Sequence, residues 1–304
     1  MDKDVIDQRL EQINDVISFD TLLNRQSEDK VTIAKYYRLN RLAYRLVNSK
    51  QGFVHMGITR DGVFKEDDFL EHARIISKAI EASQGTAVLE LAAGKAATTK
   101  HLADTYSHFE FTGLDLPHGQ LNIRSSHFSN LKLIEGDYHD LSQFADNSFD
   151  IVYIIEALCH ARSKDAVIKE VYRVLRPKGT FIIFDGYIAK PHAKMTDVEN
   201  LVSNLTFASM MVTKKGHLYK DLQNSLRSND LKIVDEENLS KFVLPSMKRL
   251  ESKAETYFRH PKIAKFANKI VPIEVTGNAV AAYLMPLSVG AGLHQYWLTI
   301  ARKK

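Results

Sequence analysis

The stretch Val88-Leu-Glu-Leu-Ala-Ala-Gly-Lys-Ala-Ala-Thr-Thr-Lys100 constrains this chain more than any other. Val88 to Leu91 is short and apolar enough for a buried strand, and Thr98 to Ala103 suits the opening of a helix, so the backbone between them must bend sharply. Ala92, Gly94 and Ala96 stand at alternate positions and leave the bend almost without side-chain bulk. A ligand can then come close to the N–H groups of the turn and of the helix N-terminus, as nucleotide-type ligands require. With alanine instead of glycine at 92 and 96, the turn is expected to avoid positive φ at those two places.

The segments that follow repeat the theme. Phe109-Glu-Phe-Thr-Gly-Leu-Asp115 reads as a second strand ending in an acid, and Leu131-Lys-Leu-Ile-Glu-Gly-Asp137 as a third. Ligands of doubly wound sheets bind outside the carboxyl ends of the strands, so Glu90, Asp115 and Asp137 are expected to meet in one crevice, with Asp115 placed to accept both hydroxyls of a ribose. Asn147 to Ile155 opens from a turn and forms a fourth strand. The apolar spacing of Val167, Ile168, Val171, Val174 and Leu175 gives a helix over Asp165 to Leu175, stopped by Arg176-Pro-Lys-Gly179, and Thr180 to Asp185 is the fifth strand. Leu231 to Glu237 and His294 to Arg302 read as the sixth and seventh, separated by a stretch, Phe242 to Gly292, that is too long for a loop and helical in pattern.

The acid and small-residue turn, the Ser-Phe-Asp strand opening and the Leu-Arg-Pro-Lys-Gly ending together resemble class I S-adenosylmethionine-dependent methyltransferases over roughly Val88 to Tyr187. The resemblance implies an α/β fold: a doubly wound, seven-stranded, mostly parallel Rossmann-like sheet with N-terminal helices and a helical insertion between the last two strands. It implies S-adenosyl-L-methionine as cofactor, held by Glu90, Ala92, Gly94, Asp115, Leu116, Asp137, Tyr138 and Ile155, with the adenine at Asp137 and Tyr138. The heptad Ile155-Glu-Ala-Leu-Cys-His-Ala161 is similar to the Ile-Glu-Ala-Thr-Cys-His-Ala segment of sterol C-methyltransferases, with Leu158 in place of Thr. That family also has a counterpart of the tyrosine-rich segment around Tyr36 and Tyr37. Gly52-Phe-Val-His-Met-Gly-Ile58 lacks the tryptophan-rich run of the sterol enzymes, which directs the expectation toward a smaller isoprenoid, quinone or aromatic acceptor.

Methyl transfer needs an aligned acceptor and a handler for any proton. Glu156 and His160 are four apart and would share a face if their segment were helical, so these two are the catalytic candidates, with Tyr36 and Tyr37 on the substrate side. The activity expected is methylation of a small hydrophobic acceptor, with carbon methylation of an isoprenoid-type molecule first. Oxygen or nitrogen methylation of an aromatic or quinone-like acceptor, and a non-catalytic S-adenosylmethionine-binding protein, stay open. A nicotinamide dehydrogenase would share the first two strand ends without needing Asp137.

The chain divides on this reading into 1–83, N-terminal lid and packing helices; 84–240, the cofactor-binding core; 241–292, a helical substrate cap; and 293–304, the final core strand. Asp68 to Ala82 should pack on the sheet, and Thr32 to Arg45 forms either a surface helix or a lid over the turn. A basic run, Lys241, Lys248, Arg249, Lys253, Arg259, Lys262, Lys265 and Lys269, is compatible with a solvated helix face, an anionic acceptor or peripheral contact with anionic lipid. In 304 residues with a net charge of +4 and one cysteine, Cys159, nothing suggests nucleic-acid binding, a disulfide framework, a metal site or a membrane span. Cytoplasmic localisation is expected.

Overall fold

The computed structural model describes residues 3–24, 29–119, 121, 128–212 and 216–304. Its centre is a seven-stranded sheet of β1 (Ala87–Leu91), β2 (Glu110–Asp115), β3 (Leu131–Glu135), β4 (Phe149–Ile155), β5 (Leu175–Ile188), β6 (Leu231–Asn238) and β7 (His294–Lys303). The strand order is β3-β2-β1-β4-β5-β7-β6, with β7 antiparallel to both β5 and β6 and every other pairing parallel. This is the expected doubly wound fold. The chain steps outward from β1 to β3 and then returns to the other side of β1, so a crevice opens between the ends of β1 and β4, where such sheets take their ligands.

Both faces of the sheet are covered. On one lie α5 (Glu71–Glu81), α6 (Ala97–Thr105) and the first turns of α10 (Ser240–Phe258), which bury Ile76, Ile80, Leu102, Val243 and Met247 against Val88, Phe111 and Tyr153. On the other, α7 (Lys164–Val174) and α9 (Tyr219–Ser228) bury Val167, Ile168, Val171, Leu222 and Leu226 against Leu89, Val152 and Phe181. Fully apolar strands such as Ile151 to Ile154 are what burial on both faces demands. The helix expected from Asp68 opens as a 3-10 turn, Glu66–Leu70, before α5 begins. The fifth strand is longer than the sequence suggests: Leu175 already pairs with Phe149, and Arg176 to Gly179 is an irregularity within β5, with Lys178 at φ 66°.

A third layer is helical. It comprises α1 (Lys3–Val16), α2 (Phe19–Leu23), α3 (Lys30–Leu39), α4 (Arg41–Ala43) continuing into a π-helical turn Tyr44–Asn48, α8 (Asp197–Ser209), the rest of α10, α11 (Pro261–Ala267) and α12 (Ile273–Gly290). Ile6, Ile13 and Leu22 share one core with Leu205, Phe258, Val280 and Leu284, so helices from opposite ends of the chain bury each other's apolar faces. Arg9 stacks over the Tyr283 ring at 4.4 Å and donates to Glu251 Oε1 at 2.5 Å, fixing α1 to α10 and α12. Among the described residues no helix is long and apolar enough to cross a membrane.

Part of the basic run has a structural use. Arg249 donates to Val47 O at 2.9 Å and Asn48 Oδ1 at 2.8 Å and lies 4.7 Å over the Phe64 ring; Lys253 also donates to Val47 O, at 2.8 Å. Both cations cap one backbone carbonyl, that of Val47 at the end of the π-helical turn, and Arg249 also holds the Asn48 side chain. Replacing Arg249 with Ala should lower stability by about 1.5–3 kcal/mol, the range for a hydrogen-bonded charged group, read from the denaturant midpoint. Limited proteolysis of the variant should open first between residues 44 and 50; a variant as stable as the parent would show that the clamp holds nothing.

Candidate active site

The turn after β1 departs from the sequence reading in its backbone. Ala92 and Ala96 adopt φ of 55°, like Gly94 at 57°, so three alternate residues are left-handed where only the glycine was expected to be. A left-handed alanine costs roughly 1–2 kcal/mol, and such strain persists only where the surroundings over-determine it. Here Ala93 N–H donates to Leu114 O at 2.9 Å and Ala96 N–H to Ala93 O at 2.7 Å. Gly113 makes this approach feasible, because a Cβ there would lie 2.9 Å from Leu133 Cδ2 and 3.2 Å from Ala93 Cβ. On the outer side, a Cβ on Gly94 would meet nothing within 4 Å, so the turn has an open face at its middle residue. Below it, Glu90 is buried, hydrogen-bonded by the Thr99 hydroxyl, which itself lies 2.8 Å from the Tyr153 hydroxyl; burial is the main cause that pushes its carboxyl up to about 8.

Asp115 and Asp137, at the ends of β2 and just beyond β3, line the same cavity as Glu90 and Gly94. Asp115 Oδ1 accepts from Leu116 N–H at 2.8 Å, which orients the carboxylate across the strand end. Asp137 Oδ1 accepts from His139 N–H at 3.0 Å and pairs with His139 Nδ1 at 2.7 Å, while Lys30 and Arg162 lie 3.7 and 3.5 Å from Oδ2. The hydrogen bond from His139 is the first cause of its low value, about 2, so Asp137 stays ionised. Tyr138 packs its ring in the sheet core and donates to Ala157 O at 3.1 Å.

The segment after β4 is not helical. Glu156 sits at φ 49°, and a short 3-10 turn covers Leu158–His160, because Glu156 N–H still donates to Phe184 O at 2.8 Å and so continues the sheet. The shared-face argument therefore does not describe Glu156 and His160, but the sharp turn leaves both on the wall of the one cavity. Glu156 Oε1 accepts from Met56 N–H at 2.8 Å, and Tyr296 hydrogen-bonds the same carboxyl. Burial chiefly pushes it up to about 7. His160 is held at both nitrogens, with Nδ1 3.0 Å from Met211 O and Nε2 2.8 Å from the Tyr37 hydroxyl. A carbonyl only accepts, so Nδ1 carries the proton and Nε2 accepts from Tyr37. Tyr36 meets Tyr37 edge-on at 5.2 Å and donates to Asn278 Oδ1, bringing both candidate tyrosines onto the cavity beside α12.

The cavity has a volume of about 450 Å3 and runs from the turn to the helical layer. Sequence reasoning missed several of its walls. Phe53, His55 and Met56 enter from the segment before α5, Asp185 and Tyr187 from the end of β5, and Tyr296 from β7. Asp185 accepts from Cys159 N–H and Gly186 N–H, both at 2.7 Å, and is raised mainly by burial, an effect opposed by Lys164, whose ammonium donates to Leu158 O at 2.6 Å. The thiol of Cys159 is pushed well up by burial and the Asp185 charge, so it is no nucleophile at neutral pH. Asp185 ends the strand expected from the sequence, Thr180 to Asp185, as Asp115 ends the second, and that position was the available signal, although β5 continues to Ile188.

Comparison with known proteins agrees with this geometry. Residues 89–183 match the family described as a methyltransferase domain. A sterol 24-C-methyltransferase from Neurospora crassa is 33% identical over 121 residues, 38% of this chain and 31% of that protein. An O-methyltransferase from Penicillium expansum is 26% identical over 212 residues, 66% of this chain and 73% of its own length. The chain thus spans about a third of the sterol relative. The crystal structure of the [4+2]-cyclase SpnF superposes with a TM-score of 0.68 over 90% of this chain and 95% of that one at 19% identity, a likeness of fold. Residues 89–183 are therefore a methyltransferase domain, and the sheet around them has the fold of S-adenosylmethionine-dependent methyltransferases. S-adenosylmethionine is the cofactor of this domain.

The two hydrogen bonds and burial of His160 carry a spectroscopic consequence. Burial is the first cause that lowers its pKa, so the ring should remain neutral as the Nδ1–H tautomer at pH 6.5. Nitrogen-15 chemical shifts of labelled protein should show one pyrrole-type Nδ1 and one pyridine-type Nε2. An imidazolium pattern at that pH would contradict the arrangement.

Proposed function

We propose that this protein transfers a methyl group from S-adenosylmethionine to a small, hydrophobic acceptor, and that the acceptor is methylated at carbon, as an isoprenoid-type molecule would be. The observation that carries the proposal is Glu156: a partly buried carboxyl, pushed up to about 7, on the wall of a mostly apolar cavity, beside tyrosine rings and just beyond β4. Bound S-adenosylmethionine supplies a methyl group already activated by a sulfonium charge. The chain has to bind it, align the acceptor and manage charge and protons.

In this reading Ala92, Gly94 and the open turn take the amino-acid end, Glu90 faces its ammonium, Asp115 accepts the ribose hydroxyls, and Asp137 with Tyr138 borders the adenine between Leu116 and Ile155. A carbon acceptor that gains a methyl group at one end of a double bond is left with a positive charge on the neighbouring carbon. The faces of Tyr36 and Tyr37 can stabilise that charge by about 0.5–2 kcal/mol each, and Glu156, ionised, accepts the proton whose loss restores the double bond. A general base with a pKa near the working pH is suited to that role. Of the lysines and arginines on the cavity wall, Lys30 and Arg162 lie by Asp137 and Lys253 binds Val47 O, while Lys95 belongs to the turn at the cofactor end.

A second reading has a specific observation behind it. Tyr37 and His160 form a hydroxyl–imidazole pair at 2.8 Å, which could remove a proton from an oxygen or nitrogen acceptor. It would first require the Tyr37 hydroxyl to leave Nε2. The carbon route needs no such rearrangement.

Two experiments test the assignments. Glu90, at about 8, is protonated at pH 7 without ligand, and a ligand ammonium favours its ionised form, so binding should release a proton. Affinity for S-adenosylhomocysteine, measured by calorimetry, should tighten as pH rises from 6.5 to 8, and Glu90→Gln should abolish that dependence; a flat profile in the parent would remove the assignment. On the acceptor side, Glu156→Gln should slow turnover by about a hundredfold or more while His160→Ala costs far less. The reverse order would transfer the chemistry to the Tyr37–His160 pair, and two fully active variants would move it out of this segment altogether.

A further inference from the structure

Two exposed segments at the cavity rim repeat one pattern. In α11 and the residues after it, Ile263, Phe266 and Ile270 recur at i, i+3 and i+7 and are 67%, 64% and 69% exposed. Lys262, Lys265 and Lys269 follow the same spacing one position earlier and are also exposed. In the second segment Leu42 and Leu46 are 65% and 72% exposed, each preceded by an exposed arginine, Arg41 and Arg45. Neither residues 38–50 nor residues 261–271 contain an Asp or Glu.

The same two segments border the cavity. Val47 from one and Val271 from the other line it and are themselves partly exposed, so the apolar lining continues outward onto the exposed leucine, isoleucine and phenylalanine side chains. Large exposed apolar residues destabilise nothing in solution when scattered, but a cluster of them around an opening marks a contact surface. Interleaved cations select what it contacts. A nucleic acid would use the cations and leave the aliphatic side chains idle, whereas an anionic bilayer surface uses both: headgroups for Lys and Arg, the acyl boundary for Ile, Leu and Phe.

We propose that this rim is a docking surface for an anionic lipid membrane, with the cavity mouth turned toward the bilayer. Docking goes beyond the methyl-transfer reading and does not depend on it, since it is read without acceptor or turnover. It gives an apolar molecule a path between bilayer and cavity that avoids water.

The full-length protein would be tested by vesicle flotation at low salt, on phosphatidylcholine alone and on phosphatidylcholine with about one-third phosphatidylserine. The parent should float with the anionic vesicles and weakly with the neutral ones. Phe266→Ser combined with Ile270→Ser, and separately Lys262→Glu with Lys265→Glu and Lys269→Glu, should each weaken binding by about tenfold or more. Unchanged S-adenosylhomocysteine binding would confirm that the variants remain folded. Independently of any variant, hydrogen exchange of the parent on anionic vesicles should slow in residues 41–48 and 261–271. No binding to anionic vesicles, equal binding to both kinds, loss only in the charge-reversed variant, or protection confined to other surfaces would each overturn the proposal.

Discussion

The rest of the site depends on the three left-handed residues after β1. Ala92, Gly94 and Ala96 fold the backbone back on itself within five residues, and the bond from Ala93 N–H to Leu114 O ties the fold-back to β2. That tie makes the end of β1 and the end of β2 one rigid object, so Glu90 and Asp115 are placed by backbone geometry before any ligand arrives. Strain in two alanines is held by the sheet, whose burial on both faces supplies far more stabilisation than the turn consumes.

Charge is the second organising constraint. Glu90 and Asp185 are buried carboxyls and Glu156 a partly buried one, each raised in pKa primarily by desolvation. Hydroxyls, backbone N–H groups and, for Asp185, the ammonium of Lys164 support them. Glu90 and Glu156 share a cavity that is otherwise mostly apolar. Such a space disfavours an anion and favours a cation that can settle near a carboxyl, lowering the pKa it meets. A sulfonium cofactor, with its ammonium, meets that condition, and so does a transient positive charge on an acceptor lined by tyrosine faces. One electrostatic preference would therefore serve both binding and reaction.

The sheet was legible because its information is local: an apolar run leading to an acid, repeated three times, the first of them followed by a small-residue turn and a helix. That the sheet is doubly wound, seven-stranded and mostly parallel came with the family resemblance, and the structure agrees. The φ values of Ala92 and Ala96 were not legible, since the sequence argument weighed intrinsic residue preference alone and a tertiary hydrogen bond overrode it. Glu156 and His160 were found by a short resemblance, but the helical geometry assumed for them fails because Glu156 remains bonded to β5. What surrounds them was beyond reach for a different reason. Glu156 binds Met56 N–H, His160 binds Met211 O, and Tyr36 binds Asn278; these partners lie tens to hundreds of residues away and carry no periodicity that points at the site.

Those distant partners explain why the helical layer matters to the chemistry beyond covering it. Met56 precedes α5, Met211 follows α8 and Asn278 lies in α12, so each polar group at the proposed reacting end is oriented by a different segment outside the sheet. Two of these segments, at α8 and α12, are in turn joined by the core that α1, α8, α10 and α12 share, while Met56 packs on the sheet-side core. A shift of that layer would loosen the Tyr36 and His160 contacts together, while the turn and its strand-end acids, fixed by the sheet, would keep their places. On the proposed assignment, cofactor-side geometry is set by parallel strands and acceptor-side geometry largely by helix packing, which would let one half of the site change its acceptor through helix substitutions without disturbing the other.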